Sequence, residues 1–464
     1  MTEELQRYYE SLKGKKVFFL GAGISHRDLI RRFSGLGAEV TLCDRKSLED
    51  LGDFGKECVS LGVSLCLGDG YLDTLEEADL VFRTPGIDWT KPEIQRAVSA
   101  GVKITSEMES FFDLCPCRII GVTGSDGKTT TTTLIARTLE AEGYRVHLGG
   151  NIGIPLFPVI DDVRPEDFAV VELSSFQLIS MRKSPFISVV TNVTPNHLDH
   201  HKDMEEYVGA KKNIYLWQEG DSVSVFNAAN DITRQMATEA KGEIRWFSRY
   251  GRVGNGAYVS SDSMLISSDH GSEHVVMDLK GIRLRGEHNK ENVSTAYAAV
   301  RGLVSDSVFS ETVSSFTGVE HRIEFVRSLN GVSYYNDSIA SSPTRTIAGL
   351  RSFDEPIVLI AGGYDKKISY APLAPEIVSN GVKAVLLCGD TADAIERELR
   401  NCSGYTDSIR IERLGDVPEC VRRAREISES GDVVLFSPAS ASFDMYTNFE
   451  ERGRHFKKLV EDLV

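Results

Sequence analysis

No stretch of these 464 residues approaches the ~20 consecutive apolar positions that a membrane span requires. The opening residues, Met1 to Lys16, are polar and charged and lack the apolar core of a secretion signal. Both absences predict a cytoplasmic chain with no membrane span. Basic residues are outnumbered, 52 Lys and Arg against 68 Asp and Glu, for a formal net charge of −16. A nucleic-acid or anionic-membrane surface needs a dense basic patch, so no nucleic-acid partner is expected. Any polyanionic ligand must be met by loop amides and a few local lysines. The eight cysteines are scattered, and the one close pair, Cys115-Pro-Cys117, has no second pair to complete a zinc site. They read as reduced thiols. No solenoid-period repeat, low-complexity segment or H-E-x-x-H pattern occurs. What remains is an ordinary globular composition, 41% hydrophobic and 26% charged, with length for three domains at roughly 100–200 residues each.

The most informative stretch runs Arg118-Ile-Ile-Gly-Val-Thr-Gly-Ser-Asp-Gly-Lys-Thr-Thr. It reads as strand, phosphate loop and helix. Gly121, Gly124 and Gly127 allow a turn tight enough for N–H groups to converge on phosphate oxygens. Lys128 adds a cation at the helix start, and Thr129 offers a hydroxyl to magnesium. The strict G-x-x-x-x-G-K spacing would place glycine where Val122 stands, so the loop is the shorter G-x-x-G-K-T kind.

Upstream, Lys15 to Ser25 opens as a buried strand ending in Gly21 and Gly23, and a second strand sets Asp44 at its carboxyl end, where an acid reaches a ribose hydroxyl. His26 occupies the third glycine position of G-x-G-x-x-G, which favours a nucleotide over a dinucleotide. Strands follow at 63–67 and 79–82, the latter running into Arg83-Thr84-Pro-Gly. Downstream, the phosphate-loop helix runs to Gly143, a natural C-cap. Phe168-Ala-Val-Val ends in Glu172, where phosphate-loop enzymes hold or orient magnesium. A further strand delivers Asn196-His197-Leu-Asp199-His200-His201. This cluster is read with His197 beside a magnesium or a substrate carboxylate and with His200 and His201 solvated, rather than as a zinc centre. The helical pattern around Tyr207 aims Lys211 inward, where an isolated lysine would normally snorkel to solvent. Short antiparallel strands are expected between 257 and 285, then a helix from Gly286-Glu-His288-Asn289. The third region carries Glu320-His321-Arg322, Asn-Asp337-Ser, Gly362-Gly-Tyr-Asp-Lys366 and Ser437-Pro-Ala-Ser-Ala-Ser442, with strands and helices alternating as in an open parallel sheet.

Taken in order over essentially the whole chain, these motifs resemble the Mur ligases of peptidoglycan synthesis. Glu172-Leu-Ser-Ser-Phe-Gln-Leu is similar to the branch that adds D-glutamate, and the Asp-Asn-Pro-Arg motif of the diaminopimelate- or lysine-adding branches is absent. The resemblance implies an α/β fold in three domains. Residues 1–106 would be a Rossmann-like UDP-binding domain, 107–316 a central phosphate-loop ATPase with a mainly parallel sheet, and 317–464 a Rossmann-like domain for the amino acid. It implies a monomeric ATP-dependent ligase joining D-glutamate to UDP-N-acetylmuramoyl-L-alanine through an acyl phosphate.

Site residues follow from the resemblance. Ser25, Asp44, Arg45, Thr84 and Asn151 would meet the UDP substrate. ATP would be held by Gly124, Ser125, Asp126, Gly127, Lys128, Thr129 and Thr130, with Asn289 and Asn292 near the adenine and Arg322 and Asp337 from the third domain. Two Mg2+ ions would be held by Thr129, Glu172, His197 and a carbamylated Lys211, and His321 would help orient the reacting groups. D-glutamate would be held by Lys366, Ser341, Ser442 and Phe449. Asn196, Ile339 and Ser341 depart from the aspartate, lysine and threonine common at these places in the family. Three other readings stand beside this one: a nicotinamide oxidoreductase, suggested by Gly21-Ala-Gly and Asp44; a non-catalytic UDP-sugar sensor; and a folylpolyglutamate synthetase.

Overall fold

The computed structural model describes residues 2–195 and 201–464. They fall into two compact units: the chain up to Lys280 with Lys290–Val313, and Gly281–Asn289 with Ser314–Val464.

The first unit carries two sheets. Strands β1 (Lys16–Leu20), β2 (Glu39–Asp44), β3 (Ser64–Leu67), β4 (Leu80–Arg83) and β5 (Lys103–Thr105) are all parallel, in the order β3-β2-β1-β4-β5. The chain leaves β1 toward one edge and returns on its other side, so the crevice for a ligand lies at the carboxyl end of β1, at Gly21 to Gly23.

The second sheet has nine strands: β6 (Arg118–Thr123), β7 (Val146–Gly150), β8 (Phe168–Glu172), β9 (Ile187–Val190), β10 (Val223–Asn227), β11 (Glu243–Ser248), β12 (Asn255–Val259), β13 (Met264–Asp269) and β14 (Ser272–Asp278). Their order is β14-β13-β12-β11-β10-β9-β6-β8-β7. The same switch of direction occurs at β6, which pairs in parallel with both β8 and β9 and therefore opens the crevice at the phosphate loop. The β6, β8 and β9 strands are apolar and buried on both faces, as parallel strands covered by helices must be. The expected antiparallel strands are β12 to β14, but they stop at Asp278, and β12 joins β11 in parallel.

The helix Lys128–Glu142 is rich in threonine, a modest helix former. Thr132, Thr133 and Thr138 donate their hydroxyls to the carbonyls of Lys128, Thr129 and Leu134 one turn back. It ends at Gly143, left-handed at φ 105°, as the C-cap glycine predicts. One continuous core joins the two sheets of this unit. Phe33 packs edge-on against Phe82 and Phe157, with centroids 5.4 and 6.1 Å away, and Arg32 pairs with Asp161 at 2.8 Å.

The second unit holds a six-stranded sheet of β15 (Glu324–Leu329), β16 (Val332–Asn336), β17 (Ile357–Ala361), β18 (Val382–Leu387), β19 (Arg410–Arg413) and β20 (Val433–Phe436), ordered β15-β16-β20-β17-β18-β19. Only the β15–β16 hairpin is antiparallel. The carboxyl ends of β16, β20 and β17 are neighbours, which brings Asp337, Ser437 and Gly362 to one edge.

Candidate active site

The phosphate loop is fixed by close approach. Gly124 has φ 149°, and a Cβ there would sit 1.8 Å from Thr191 Oγ1. At Gly127, φ 77°, a Cβ would sit 2.3 Å from Asn292 Oδ1. Only glycine fits either place. Asn192 anchors the loop tip, its carbonyl accepting from the Ser125 N–H at 2.9 Å and its Oδ1 from the Asp126 N–H at 2.9 Å. Ser125 Oγ donates to the Thr194 carbonyl at 3.0 Å and lies 3.1 Å from the Tyr207 hydroxyl. Lys128 Nζ donates to the Gly124 and Ser125 carbonyls at 3.0 and 2.9 Å, so its charge lies over the loop at the start of the helix. Thr129 is half-buried and Thr130 buried in the first turn, and Asp126 is exposed.

Lys211 does not snorkel. It is 2% exposed, inside the helix Met204–Lys212, and its Nζ donates to the Gly124 carbonyl at 2.9 Å. Burial, reinforced by the Lys128 charge, pushes its amine from 10.5 down to about 7. Glu172, 2% exposed at the end of β8, accepts from Asn151 Nδ2 at 2.7 Å through Oε1, and its buried Oε2 has no partner among the described residues. A buried carboxylate oxygen left unmatched beside a phosphate loop suits a hard cation, and an amine that is half neutral at pH 7 suits carbamylation. These residues fit the two groups. His197, with Asn196 and His200, lies outside the described residues. His201 corrects the expectation of a solvated loop residue. It is buried, stacked on Phe176 at 5.0 Å, with Nε2 2.9 Å from Ser175 Oγ and Nδ1 3.2 Å from Glu206 Oε2.

At the carboxyl end of β1, Asp44 binds the backbone: Oδ2 accepts from the Ala22 N–H at 2.7 Å and Oδ1 from the Lys46 N–H at 2.9 Å. His26 is buried with Nδ1 2.9 Å from the Gly21 carbonyl, and burial lowers its ring to about 4. It fills the place where a third glycine would let a pyrophosphate approach, which argues against a dinucleotide. Thr84 lies against Gly21, and Arg45 is exposed. Ser25 and Asn151 line one cleft of about 210 Å³ with Arg83 and Glu107. Two features of this cleft were not read from the sequence. Arg83 is buried and donates to the Ile87 and Phe176 carbonyls at 2.6 and 3.3 Å. Glu107 accepts from the N–H groups of Leu156 and Phe157, both at 2.7 Å, and burial pushes its carboxyl from 4.5 up to about 7.

In the second unit, Asp337 Oδ2 accepts from Ser437 Oγ at 2.7 Å and Oδ1 from the Ile323 N–H at 3.2 Å, and burial raises its carboxyl to about 7. The neighbouring Arg322 is half-buried. His321 adopts φ 65° with Nδ1 2.9 Å from Asn336 Nδ2, and the Phe449 ring stands edge-on to it at 6.0 Å. Among the described residues, Glu320, His321 and Glu324 have metal-ligand spacing, but Lys457 already pairs with both carboxylates at 3.2 and 2.6 Å.

The Tyr364 N–H donates to the Ala441 carbonyl at 3.0 Å, drawing the Lys366 turn to the Ser442 loop. Lys366 is exposed and Ser442 buried, and Asp365 is taken by Lys367 at 2.9 Å. Asn448 caps the following helix. Ser341 is half-buried, its N–H donating to the Ile339 carbonyl at 2.8 Å. Asn289 Nδ2 donates to the Arg285 carbonyl at 2.5 Å. Arg452, also missed in the sequence, is 1% exposed and donates to the carbonyls of Ser338, Ser440 and Ala441 at 2.8, 3.1 and 2.8 Å, tying the two loops together.

Three family models match this chain: Mur ligase MurD-like, N-terminal domain over residues 15–106, Mur ligase middle domain over 122–300, and Mur ligase, glutamate ligase domain over 321–440. The UDP-N-acetylmuramoylalanine–D-glutamate ligase of Acetivibrio thermocellus is 49% identical over 466 residues, 100% of both chains. The protein of the same name from Clostridium botulinum is 46% identical over 464 residues, again 100% of both. Among solved structures, MurF from Acinetobacter baumannii aligns with a TM-score of 0.58 at 14% identity over 100% of this chain and 93% of that one. The UDP-N-acetylmuramate-alanine ligase MurC from Thermotoga maritima aligns at 0.56 and 19% over 96% and 99%. These two likenesses concern the fold.

Proposed function

Since the chain belongs to the Mur ligase family, we propose that it is the ATP-dependent ligase that adds D-glutamate to UDP-N-acetylmuramoyl-L-alanine during peptidoglycan precursor synthesis. Full-length identity of 46–49% to ligases of that name carries the reading, and it favours this activity over a folylpolyglutamate synthetase, a nicotinamide oxidoreductase or a sensor.

A carboxylate is a poor electrophile, and the reaction must first give it a leaving group. Transfer of the γ-phosphoryl of ATP to the alanyl carboxylate forms an acyl phosphate and ADP. The amine of D-glutamate then attacks the acyl carbon, a tetrahedral intermediate forms, and phosphate leaves as the amide closes. The difficulty of the first step is bringing an anion to a polyphosphate, so the work is neutralisation and positioning. Lys128, lying over the loop on the carbonyls of Gly124 and Ser125, supplies a fixed cation at the helix start.

Glu172, through its unmatched Oε2, with Thr129, His197 and a carbamylated Lys211, would hold two magnesium ions. When bound, magnesium neutralises phosphoryl charge and orients the transferred group. Asn151 steadies Glu172 and reaches the cleft of Ser25 and Arg83, which suits a muramoyl substrate whose carboxylate ends at the phosphate loop. Thr84 and Arg45, at the Gly21 turn, would meet the UDP portion. Asp44, with both oxygens on backbone amides, acts by shaping that turn. Asn289 and Asn292 would lie near the adenine, Arg322 and Asp337 would meet ATP from the third domain, and His321 would orient the reacting groups. Lys366, Ser341, Ser442 and the start of the Phe449 helix would hold D-glutamate, with Arg452 keeping their loops in register.

The test is ADP release against a panel. UDP-N-acetylmuramoyl-L-alanine with D-glutamate should release ADP, whereas L-glutamate, D-aspartate or diaminopimelate should not. ADP release with a folate and L-glutamate instead would replace this reading with the folylpolyglutamate one.

A further inference from the structure

The thiols of Cys115 and Cys117 lie 3.4 Å apart, and both residues line a cleft of about 390 Å³ with Lys183, Pro185 and Phe186. The pair occupies the segment joining the helix Glu107–Leu114 to β6, and the proposed ligase chemistry uses neither residue. Its two members are unlike. Cys115 is half-buried, and Cys117 is 8% exposed. The hydrogen bond shared by the two thiols, with a further contribution from the Lys183 charge, holds the Cys115 thiol below its ordinary value and drives the Cys117 thiol up. A half-buried thiol held below its ordinary value next to a buried one whose thiol is raised matches the division between an attacking and a resolving cysteine.

The other cysteines are differently placed, Cys58 buried and Cys402 far along the chain. Cys388 and Cys420 neighbour each other but are both buried, and the hydrogen bond with Cys388, then burial, raises the Cys420 thiol. Cys43 is buried, and its thiol is raised by burial and then by Cys66. Among the described residues, neither pair lines a cleft with a lysine as Cys115 and Cys117 do.

We propose that Cys115 and Cys117 form a thiol–disulfide exchange site, in which Cys115 attacks a low-molecular-weight disulfide and Cys117 resolves the adduct. In the first step the Cys115 thiolate bonds to one sulfur of the small disulfide, breaking its S–S bond and expelling one thiolate. In the second, Cys117 loses its proton to solvent and attacks Cys115 Sγ, expelling the other thiolate and closing the Cys115–Cys117 bond. The protein loses two electrons and two protons, and the small disulfide takes them up as two thiols. The sulfurs have only to close from 3.4 Å to about 2.0 Å, in the short segment between the helix and β6.

The experiment uses the full chain equilibrated with excess oxidised glutathione, quenched with an alkylating agent, digested and mapped by mass. In the parent, the peptide carrying both residues should be two hydrogens lighter and unalkylated, and dithiothreitol should reverse this. Cys388 and Cys420 should be alkylated once the chain is unfolded. Cys117→Ser should accumulate a stable glutathione adduct on Cys115. Cys115→Ser should leave Cys117 reacting about tenfold or more slowly than Cys115 does in the parent. Alkylation of both cysteines in the equilibrated parent overturns the proposal. So does an adduct trapped on Cys117 in preference to Cys115. The parent map decides alone if either variant fails to fold.

Discussion

Removing the amine of Lys211 tests whether its burial serves chemistry or only packing. An ordinary lysine at pH 7 is neutral in about one molecule in 3,000. With its amine brought from 10.5 down to about 7, Lys211 is neutral in about half. That change corresponds to about 5 kcal/mol against the buried ammonium, at about 1.36 kcal/mol for each tenfold step. Carbon dioxide adds only to a neutral amine, so burial raises the reactive fraction by about three orders of magnitude. Carbamylation would then turn a cation that repels magnesium into an anion that could bind it. The fraction of neutral amine climbs from about a tenth at pH 6 to about nine tenths at pH 8. A carbamate signal from 13C-labelled bicarbonate should rise over that interval, well below the pH an exposed lysine would need. Lys211→Ala should lack the signal and lose about 10²- to 10³-fold in ADP release, the scale of one lost charge-stabilising group. Acetate or formate should restore part of the activity by standing in for the missing anion. Unrescued Lys211→Ala at the parental rate, or parental turnover with no bicarbonate-derived signal, would refute the reasoning.

Lys128→Ala should cut ADP formation by about 10²-fold or more, from ~3–4 kcal/mol of lost transition-state stabilisation. It should leave calorimetric binding of the UDP substrate nearly unchanged, and turnover within about tenfold of the parent would contradict the loop's role. Glu107 carries a carboxyl raised from 4.5 to about 7, so its contribution to stability is complete below pH 4.5 and is lost as the pH rises through 7. Glu107→Gln, which keeps the acceptor for Leu156 and Phe157, should abolish that loss. It should gain up to about 3 kcal/mol relative to the parent at pH 8 in urea unfolding, and an unchanged pH profile would contradict the assignment. Lys366→Ala and Ser442→Ala should each lower kcat/KM for D-glutamate at least about tenfold, the scale of a lost charged or buried hydrogen bond. Parental values in both would remove these residues from the amino-acid pocket.

The phosphate loop was legible because strand, glycines, lysine and helix are contiguous, so local sequence fixes both the turn and what it faces. The strand ends at Asp44, Glu172 and Asp337 were legible for the same reason, whereas the switch points at β1 and β6 depend on strand order, which only the fold gives. What escaped are groups whose partners are backbone atoms far along the chain. Arg452 sits in Phe-Glu-Glu-Arg-Gly-Arg, which reads as a solvated helix face. Its partners are carbonyls at 338, 440 and 441, which only the tertiary fold brings near. Arg83 and Glu107 are satisfied in the same way, by carbonyls and amides, so no complementary charge in the sequence announces them. His201 lies in a run of polar residues and was misread because its stacking partner, Phe176, lies on a separate short helix. Asp44 was seen, but its engagement by two backbone N–H groups was not.

The central claim is that the alanyl carboxylate is phosphorylated before the amine attacks, and an oxygen label tests it most directly. UDP-N-acetylmuramoyl-L-alanine labelled with 18O in its terminal carboxylate is turned over with ATP and D-glutamate, and the released inorganic phosphate is analysed by mass. The account predicts one labelled oxygen in each phosphate released, with ADP as the other product. Unlabelled phosphate, or label recovered in AMP, would contradict it.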